Sequence, residues 1–309
     1  MGLRYRLLLA VSALAAGTAA LAAFAAPVNG VVEWTMIDVN SGPRQGDAHL
    51  LRFPDGTAFL VDAADTGIVA PWLAGHGVRS LDKVIISHPH KDHYGGLPEV
   101  LARGIAVGEL VMNVPERAPC DREKPWGCDY DDVQRLLGDV RARHIPVRAA
   151  AAGDRLYARG RVSLEVLAAY DAVHTPFGPT DINDTSLILL LTNGSIRALF
   201  TGDLNKTLGA YLARSEPRVR ADILKVPHHG TEDLAPDSFF DRVAPRLALV
   251  PSPLRLWESD RSRRAREYLA RAGIPTLVDG RDGDVVVRIG PRSFAAVNPP
   301  SGVVSLRRR

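Results

Sequence analysis

Four side chains that bind metal ions well follow one short apolar run. Residues 84–86 are Val, Ile and Ile, a β-branched stretch typical of a buried strand. His88 and His90 alternate along an extended backbone, so both can face one ion, whereas Asp92 and His93 are adjacent and can serve a second. Imidazole and carboxylate ligands without a thiolate suit zinc, manganese or iron(II). The spacing therefore predicts a metal centre after a buried strand.

Other carboxylates and histidines also follow apolar stretches. Asp62 ends the run Phe-Leu-Val-Asp, and Asp203 ends a Thr-Gly-Asp sequence after residues 196–200. His228 and His229 follow the predicted strand 222–226. Each of these positions is the end of a predicted strand.

The elements that must position these residues are strands and helices in alternation. Asn193 and Gly194 predict a hairpin turn between two apolar strands, residues 187–191 and 196–200. Val133, Leu136 and Val140 fall at helical spacing and predict a helix. The other predicted strands are 31–39, 47–53, 57–62, 109–113, 163–167, 246–250, 276–278 and 284–289, with the last two joined across Asp282 and Gly283, and the main helices are 131–144 and 259–272.

The stretch from His88 to Gly96 resembles motif two of the metallo-β-lactamase superfamily. The chain is most similar to the hydrolase domain at the C-terminal end of the ComEC/Rec2 competence proteins and to the secreted proteins related to it. Gln45, Gly46 and Asp47 retain the end of a run that this branch carries before its second strand. The resemblance implies an α/β fold, a four-layer αββα sandwich with the metals at one edge between the sheets.

The resemblance also implies a role for each residue. Asp62 would orient a ligand histidine by hydrogen bonding, and Asp203 would bridge two ions. The sequence does not decide whether His228 or His229 binds, and we slightly favour His229. The implied first ion has His88 and His90, the second has Asp92, His93 and one of His228 and His229, and the implied catalytic carboxylates are Asp62, Asp92 and Asp203.

The implied cofactor is a pair of divalent ions, zinc by preference, with manganese or iron as alternatives. Such a pair lowers the pKa of water and provides hydroxide near neutral pH. No Gly-x-Ser-x-Gly elbow or Walker A loop is evident in the sequence. A metal-activated hydroxide would therefore replace a nucleophilic serine.

Three positions depart from the family pattern. Many members place a metal-binding histidine where this chain has Asn183, and the ComEC-like branch has asparagine there too, which puts a third protein ligand for the first ion in doubt. Residues 40–44 interrupt the loop before the second strand, with Asn40 in place of glycine. Residues 256–260 lack the histidine that related proteins often carry.

Three residues are candidates for contact with the substrate. Asn183 is one, because of its place in the motif. Trp126 lies in an irregular stretch, residues 114–129, where Cys120 and Cys128 would pair in an oxidising compartment. This stretch is either a recognition loop or a solvent loop with the tryptophan packed back on the body. His174 is either a substrate contact or substitute ligand, or a surface histidine, which we favour.

Residues 1–26 have the pattern of a secretory signal. Arg4 and Arg6 precede an apolar run, and residues 23–25 are Ala-Phe-Ala. An uncleaved anchor is the alternative because the run is about long enough to span a membrane. We expect cleavage, a hydrolase domain at 27–298, a basic tail at 299–309, a periplasmic or secreted location, and no integral membrane segment in the mature protein.

The net charge does not indicate a surface that coats nucleic acid. The 38 basic and 35 acidic residues give +3. Without Arg4 and Arg6 the charge is +1, and without the three terminal arginines it is −2. A small molecule or a phosphodiester is the expected partner, and nucleic acid stays open as a substrate.

Three functions are consistent with the sequence. The preferred one is an exported metallohydrolase of phosphodiesters, either a nuclease or a phosphorylcholine-type esterase. The second is a hydrolase of lactones, esters or β-lactams, which Asn183 makes less favourable. The third is a metal-binding protein with impaired catalysis. A metal-loaded activity screen separates the three.

Overall fold

The computed structural model describes residues 30–42, 44–125, 127–170, 176–178, 180–298 and 302–307. The predicted signal peptide lies outside this range. The strands are β1 (Val32–Met36), β2 (Ala48–Arg52), β3 (Ala58–Ala63), β4 (Ser80–Leu81), β5 (Lys83–Ile86), β6 (Ala106–Val107), β7 (Leu110–Met112), β8 (Val147–Arg148), β9 (Arg155–Arg159), β10 (Val162–Ala168), β11 (Ile188–Asn193), β12 (Ile196–Phe200), β13 (Ile223–Lys225), β14 (Leu247–Val250), β15 (Thr276–Val278), β16 (Val285–Ile289), β17 (Ser293–Asn298) and β18 (Gly302–Arg307). The helices are α1 (Val69–Gly75), α2 (Lys91–Tyr94), α3 (Leu97–Ala102), α4 (Arg117–Asp121), α5 (Tyr130–Ala142), α6 (Lys206–Ser215), α7 (Asp237–Val243), α8 (Leu254–Trp257), α9 (Arg263–Arg271) and α10 (Asp279–Asp282).

Two large sheets contain nearly all of these strands. One has nine strands in the order β18-β17-β16-β1-β2-β3-β5-β7-β8. The other has seven, in the order β15-β14-β13-β12-β11-β10-β9. In the first sheet β3, β5, β7 and β8 are parallel, and in the second β12, β13, β14 and β15 are parallel. Loops after parallel strands are where ligand sites form in α/β proteins.

The two sheets pack face to face, with helices on both outer faces. Side chains such as Trp34, Ile85 and Phe200 are buried between the sheets. Helices α1, α3 and α5 cover the outer face of the first sheet, and α6, α7 and α9 cover that of the second. The predicted four-layer αββα sandwich is confirmed. Within the described residues, no helix combines the length and apolar character that a membrane span needs.

Local sequence explains the elements nearest the site. The β11–β12 hairpin turns at Gly194, whose φ of +60° favours glycine, so the predicted turn is confirmed. Helix α5 begins after Asp129, whose carboxylate accepts hydrogen bonds from the backbone N–H groups of Asp131 and Asp132. Its apolar residues are buried at helical spacing, as predicted.

Several segments differ from the prediction. The short helix α4 forms inside residues 114–129, because Pro119 and Cys120 are buried there. Strands β15 and β16 are not neighbours, since β15 is an edge of the seven-stranded sheet and β16 belongs to the other sheet. Strand β18 lies inside the stretch predicted as a basic tail, where residues 303, 304 and 306 are apolar, and it pairs with β17.

Candidate metal centre

Asp62, in strand β3, holds the ring of His93. Its carboxylate accepts hydrogen bonds from the backbone N–H of Ser87 (2.7 Å) and from Nδ1 of His93 (2.9 Å). The φ of Asp62 is +60°, a left-handed conformation that is uncommon for residues other than glycine. Burial raises the pKa of Asp62, and the nearby His93 opposes that rise. The hydrogen bond to Nδ1 leaves Nε2 of His93 as the ring nitrogen that can bind an ion.

His88 is fixed by two hydroxyl groups in the same way. Its Nδ1 lies 3.1 Å from Oγ of Ser87 and 3.3 Å from Oγ of Ser186. Ser186 belongs to the second sheet's side of the site and also accepts a hydrogen bond from the backbone N–H of Asp203 (2.9 Å). The Nε2 of His88 is buried without a hydrogen-bond partner among the described residues.

His228 and His229 form part of a short 3₁₀ turn after β13, with left-handed φ values of +49° and +53°. Nδ1 of His229 lies 2.9 Å from the carbonyl oxygen of Pro251. Its Nε2 lies 3.3 Å from a carboxylate oxygen of Asp92 and 3.3 Å from one of Asp203. The ring of His228 is centred 6.4 Å from that of His229, and burial lowers its pKa. The geometry favours His229 as the ligand.

Lys225 and Asp47 are two charged residues at the centre that the sequence analysis did not assign a role. The ammonium of Lys225 forms an ion pair with Asp47, lies 3.4 Å from Oδ1 of Asp203, and donates a hydrogen bond to the carbonyl oxygen of Gly202 (2.7 Å). Oδ1 of Asp47 lies 3.1 Å from Nδ1 of His229. All of these side chains are buried. Lysine inside an apolar strand was the signal in the sequence, because a buried charge needs a partner.

The electrostatics of the centre favour bound positive charge. Burial would lower the pKa values of His93 and His229, but Asp203 and the neighbouring carboxylates raise both well above the usual value. Burial would raise the pKa of Asp203, but His229, His93 and Lys225 hold it well below its usual range. A divalent cation among these carboxylates and free ring nitrogens would supply the charge that protons otherwise provide.

His90 differs from the other histidines because its Nε2 is occupied. That nitrogen lies 2.6 Å from Oε2 of Glu123, and the ring is centred 4.6 Å from that of His88. Burial would raise the pKa of Glu123, but hydrogen bonds from His90 and from backbone N–H groups lower it. The side chains of His90 and Asp92 are 13% and 23% exposed, against 3% or less for His88, His93, Asp203 and His229. Solvent therefore reaches the centre past His90 and Asp92.

Of the three predicted substrate contacts, the structure describes one. Asn183 lies in a 3₁₀ turn (Ile182–Thr185) beside the centre, and its Oδ1 is buried without a hydrogen-bond partner among the described residues. Trp126 and His174 lie outside the described residues. The predicted disulfide between Cys120 and Cys128 is confirmed.

The residues present fit a metal centre. The three histidines held at Nδ1, which are His88, His93 and His229, each have a buried Nε2 that makes no hydrogen bond within the described residues. Two sets of donor atoms lie within 4.8 Å of one another: Asp47, His93 and His229 form one set, and His88, His93 and Asp203 the other. Nitrogen and carboxylate donors of this kind suit divalent transition metals.

The chain belongs to the metallo-β-lactamase superfamily, whose family model matches residues 41–252. The predicted similarity to the ComEC/Rec2-like branch is also confirmed. The ComE operon protein 3 of Bacillus subtilis is 25% identical over 234 residues, which is 75% of this chain and 28% of that protein. The chain thus spans little more than a quarter of that relative.

The names of other relatives indicate different activities. The endoribonuclease ysh1 of Schizosaccharomyces pombe is 26% identical, over 64% of this chain and 26% of that protein. A hydroxyacylglutathione hydrolase of Ectopseudomonas mendocina is 27% identical, over 40% of this chain and 53% of that protein. Among solved structures, the metallo-β-lactamase fold protein YhfI of Bacillus subtilis has a TM-score of 0.52 at 14% identity and covers 80% of this chain and 96% of its own, which shows a shared fold.

Proposed function

We propose that this protein is an exported hydrolase that binds two divalent metal ions and cleaves phosphodiesters. The observation that carries the proposal is the orientation of three histidines. In His88, His93 and His229 one ring nitrogen is held by a hydrogen-bond partner, and the other points without a partner toward Asp203 and its neighbours. Ligating histidines in metalloenzymes are oriented in this manner.

Different side chains of the protein have different roles in the proposed hydrolysis. When bound, divalent ions supply Lewis acidity that makes water nucleophilic near neutral pH. Asp62 keeps His93 in place, and Lys225 holds Asp203. Asp92 is the carboxylate nearest solvent, and one of its oxygens already accepts a hydrogen bond from Gln45 (3.1 Å). The other oxygen, 3.9 Å from Nε2 of His93, is the one we assign as acceptor for a proton released from water in this proposal.

Phosphodiesters are preferred for two reasons. Asn183 stands where many family members have a metal-binding histidine, which is the pattern of the ComEC-like branch rather than of a lactamase, and the nearby Ser186 contacts Nδ1 of His88 (3.3 Å). The endoribonuclease relative, whose name indicates cleavage of RNA, is also similar over more of this chain than the hydroxyacylglutathione hydrolase.

Hydrolysis of bis(p-nitrophenyl) phosphate by purified protein tests the proposal. We expect activity that a chelator removes and zinc or manganese restores. His93→Ala and Asp203→Asn should each reduce kcat/KM at least about 100-fold, since such ligands are essential to water activation. The control is His144→Asn, which removes an exposed imidazole. Asparagine tolerates the left-handed φ of +57° at this position. Metal-loaded protein that cleaves no phosphoester would contradict the proposal.

A thioester or ester substrate is the second candidate. The hydroxyacylglutathione hydrolase relative favours it, since that enzyme's name denotes a thioester substrate. A panel with lactoylglutathione, a lactone, a cephalosporin and nitrophenyl phosphoesters distinguishes the candidates. A kcat/KM for a carbonyl substrate above that for every phosphoester would replace the first proposal with this one.

Export is the remaining part of the proposal. Disulfides persist in oxidising compartments, and Cys120 and Cys128 are paired. Cell fractionation followed by N-terminal sequencing tests this: we expect a mature chain that begins near residue 27 in the periplasm or medium. Protein that retains Met1 in the cytosol would contradict export.

A further inference from the structure

Glu123 occupies an unusual place for a loop carboxylate. It lies between Cys120 and Cys128, in the loop that the disulfide closes, and reaches the edge of the metal centre. One oxygen lies 2.6 Å from Nε2 of His90, and the other accepts a hydrogen bond from the backbone N–H of Ile182 (2.8 Å). Glu123 therefore joins the loop to a candidate ligand and to the turn before Ser186.

The contact decides which nitrogen of His90 can bind an ion. The three other candidate ligands are held at Nδ1 and leave Nε2 free. His90 is reversed: Nε2 is held by Glu123, so Nδ1 is the ring nitrogen left for an ion. A carboxylate that accepts from one imidazole nitrogen fixes the tautomer and makes the other nitrogen a better ligand.

The loop backbone leaves no space for Glu123 to shift toward Gly127. An added Cβ at Gly127 would lie 2.8 Å from Oε2 of Glu123 and 3.1 Å from Nε2 of His90. The backbone N–H of Gly127 also donates to the carbonyl oxygen of Glu123 (2.9 Å). A side chain at position 127 would therefore collide with the Glu123–His90 pair, which makes glycine the residue that fits there.

We propose that Glu123 is a positioning residue for the first metal ion, which it serves by presenting Nδ1 of His90, and that the Cys120–Cys128 disulfide keeps it in place. The proposal rests on the proposed function, since it concerns the same metal centre. It assigns the disulfide-closed loop a part in metal affinity that is separate from contact with substrate. Glu123 itself need not touch the ion or the substrate.

Metal affinity, measured without any substrate, tests this inference. Zinc dissociation constants of the purified protein are obtained by competition with a chromophoric chelator, and visible spectra are recorded with cobalt. Glu123→Gln should weaken one of two equivalents by about 10–100-fold and change its cobalt spectrum. The other equivalent, held by His93 and His229, should keep its affinity. Glu116→Gln, the same substitution at an exposed carboxylate 7 residues away, is the matched control.

Two further variants separate positioning from a general loss of fold. Gly127→Ala retains the carboxylate and its charge but displaces it, so it should weaken the same equivalent as Glu123→Gln. Cys120→Ser/Cys128→Ser should also weaken that equivalent, and should have little added effect in the Glu123→Gln background. Glu123→Asp should recover part of the affinity.

Three results would overturn the inference. They are wild-type affinity of both equivalents in Glu123→Gln, an equal loss at both equivalents, and a full additional loss from the cysteine substitutions in the Glu123→Gln background. Failure of the proposed function is a different outcome. Wild-type protein that binds both equivalents with the expected response to Glu123→Gln but hydrolyses nothing would reject that function and retain this inference.

Discussion

Lys225 is a buried cation beside two buried carboxylates. It is 1% exposed and faces Asp47 and Asp203, which are 0% and 3% exposed. Lys225→Met keeps the volume but leaves two buried carboxylates without their fixed cation. We expect the free energy of unfolding of metal-free protein to fall by about 3–5 kcal/mol. Urea denaturation measures this value.

Two companion measurements identify the cause of that loss. Excess zinc should recover part of the stability of Lys225→Met, because a cation near Asp203 replaces part of the missing charge. Lys225→Met/Asp47→Asn should be more stable than Lys225→Met, because one carboxylate is neutralised. A loss that neither zinc nor the second substitution reduces would indicate a packing defect.

His228 and His229 are adjacent but have different surroundings. Nε2 of His229 lies 3.3 Å from carboxylate oxygens of Asp92 and Asp203, whereas no ion pair between His228 and a carboxylate occurs among the described residues. We expect His229→Ala to lose at least one equivalent of bound zinc, and His228→Ala to retain both. Elemental analysis of the two purified variants measures this difference. Equal loss in both would show that the left-handed turn itself, rather than one ring, holds the metal.

Asp184, in the turn beside the centre, provides a pH-dependent prediction. Burial has the largest effect on the pKa of Asp184, which is raised from 3.8 to about 7. Its carboxylate accepts a hydrogen bond from the backbone N–H of Asn205 (3.1 Å), which asparagine at position 184 can also do. Below about pH 4 the group is protonated in the folded and unfolded chains, so it has no effect on stability. Between about pH 4 and 7 only the unfolded chain ionises, so the wild type loses stability relative to Asp184→Asn.

The two proteins should therefore differ by roughly 2–4 kcal/mol in free energy of unfolding at pH 8, and by little at pH 4. Urea denaturation at intervals of one pH unit measures the difference, and Asp139→Asn, on the exposed side of α5, is the control. A difference that does not change with pH would contradict the assignment of this pKa.

How much of the site the sequence predicts depends on where each residue lies relative to a strand end. His88, His93, Asp203 and His229 converge in the structure, as their places after apolar strands suggested. Asp47 precedes its strand, and Lys225 lies inside one, so neither carried that signal. Glu123 lies in a loop whose position is set by packing and the disulfide rather than by periodicity. Such long-range contacts cannot be derived from local pattern.

Two of the departures from the family pattern, at Asn40 and near Trp257, lie in segments that support the metal centre. The side chain of Asn40 exchanges two hydrogen bonds with the backbone of Gly46 (2.9 and 3.0 Å) and donates a third to Asp279 (2.6 Å). It thus braces the loop that leads to Asp47. Trp257, where related proteins often have a nearby histidine, packs so closely on Gly230 that an added Cβ there would lie 2.7 Å from its ring. It supports the turn that carries His229.

The two sheets approach each other closely at Gly202, in the turn after β12. Gly202 has a φ of +48°, and an added Cβ would lie 2.5 Å from Oγ of Ser186 and 3.2 Å from Cβ of Ser87. Gly202→Ala should therefore reduce the free energy of unfolding by about 1–3 kcal/mol and weaken zinc binding, since Ser186 contacts both His88 and Asp203. Thermal denaturation and chelator competition measure the two effects.

Gly138→Ala is the matched control for that substitution. Gly138 lies on the exposed side of helix α5, and an added Cβ would meet nothing within 4 Å. It should raise stability by about 0.5–1 kcal/mol, because glycine is unfavourable inside a helix. Similar behaviour of Gly138→Ala and Gly202→Ala would contradict the close approach at the site.

At the scale of the whole molecule, the sequence predicted the layers better than the connections between strands, because sheet membership depends on long-range contacts. Alternating apolar strands and amphipathic helices indicate sheets with covered faces, and the αββα layers followed. The last two predicted strands looked like a hairpin across Asp282 and Gly283, yet they belong to different sheets. A turn signature describes only the local bend, while sheet membership is decided by which face each strand can bury. Strand β16 pairs with β1, and the paired residues Thr35 and Val286 are 251 positions apart in the sequence.

Because both sheets supply candidate ligands, metal binding should stabilise the whole fold. His88 and His93 come from the first sheet's side, and Asp203 and His229 from the second's. Ligand that binds only the folded state adds about 2.7 kcal/mol at a concentration 100 times its Kd. At about 2–4 °C per kcal/mol for a protein of this size, zinc should raise the Tm of metal-free protein by roughly 5–10 °C. Differential scanning calorimetry of chelator-treated protein, with and without added zinc, measures this. His93→Ala should lose most of the increase, whereas an equal rise in that variant would mean that zinc binds outside the candidate centre.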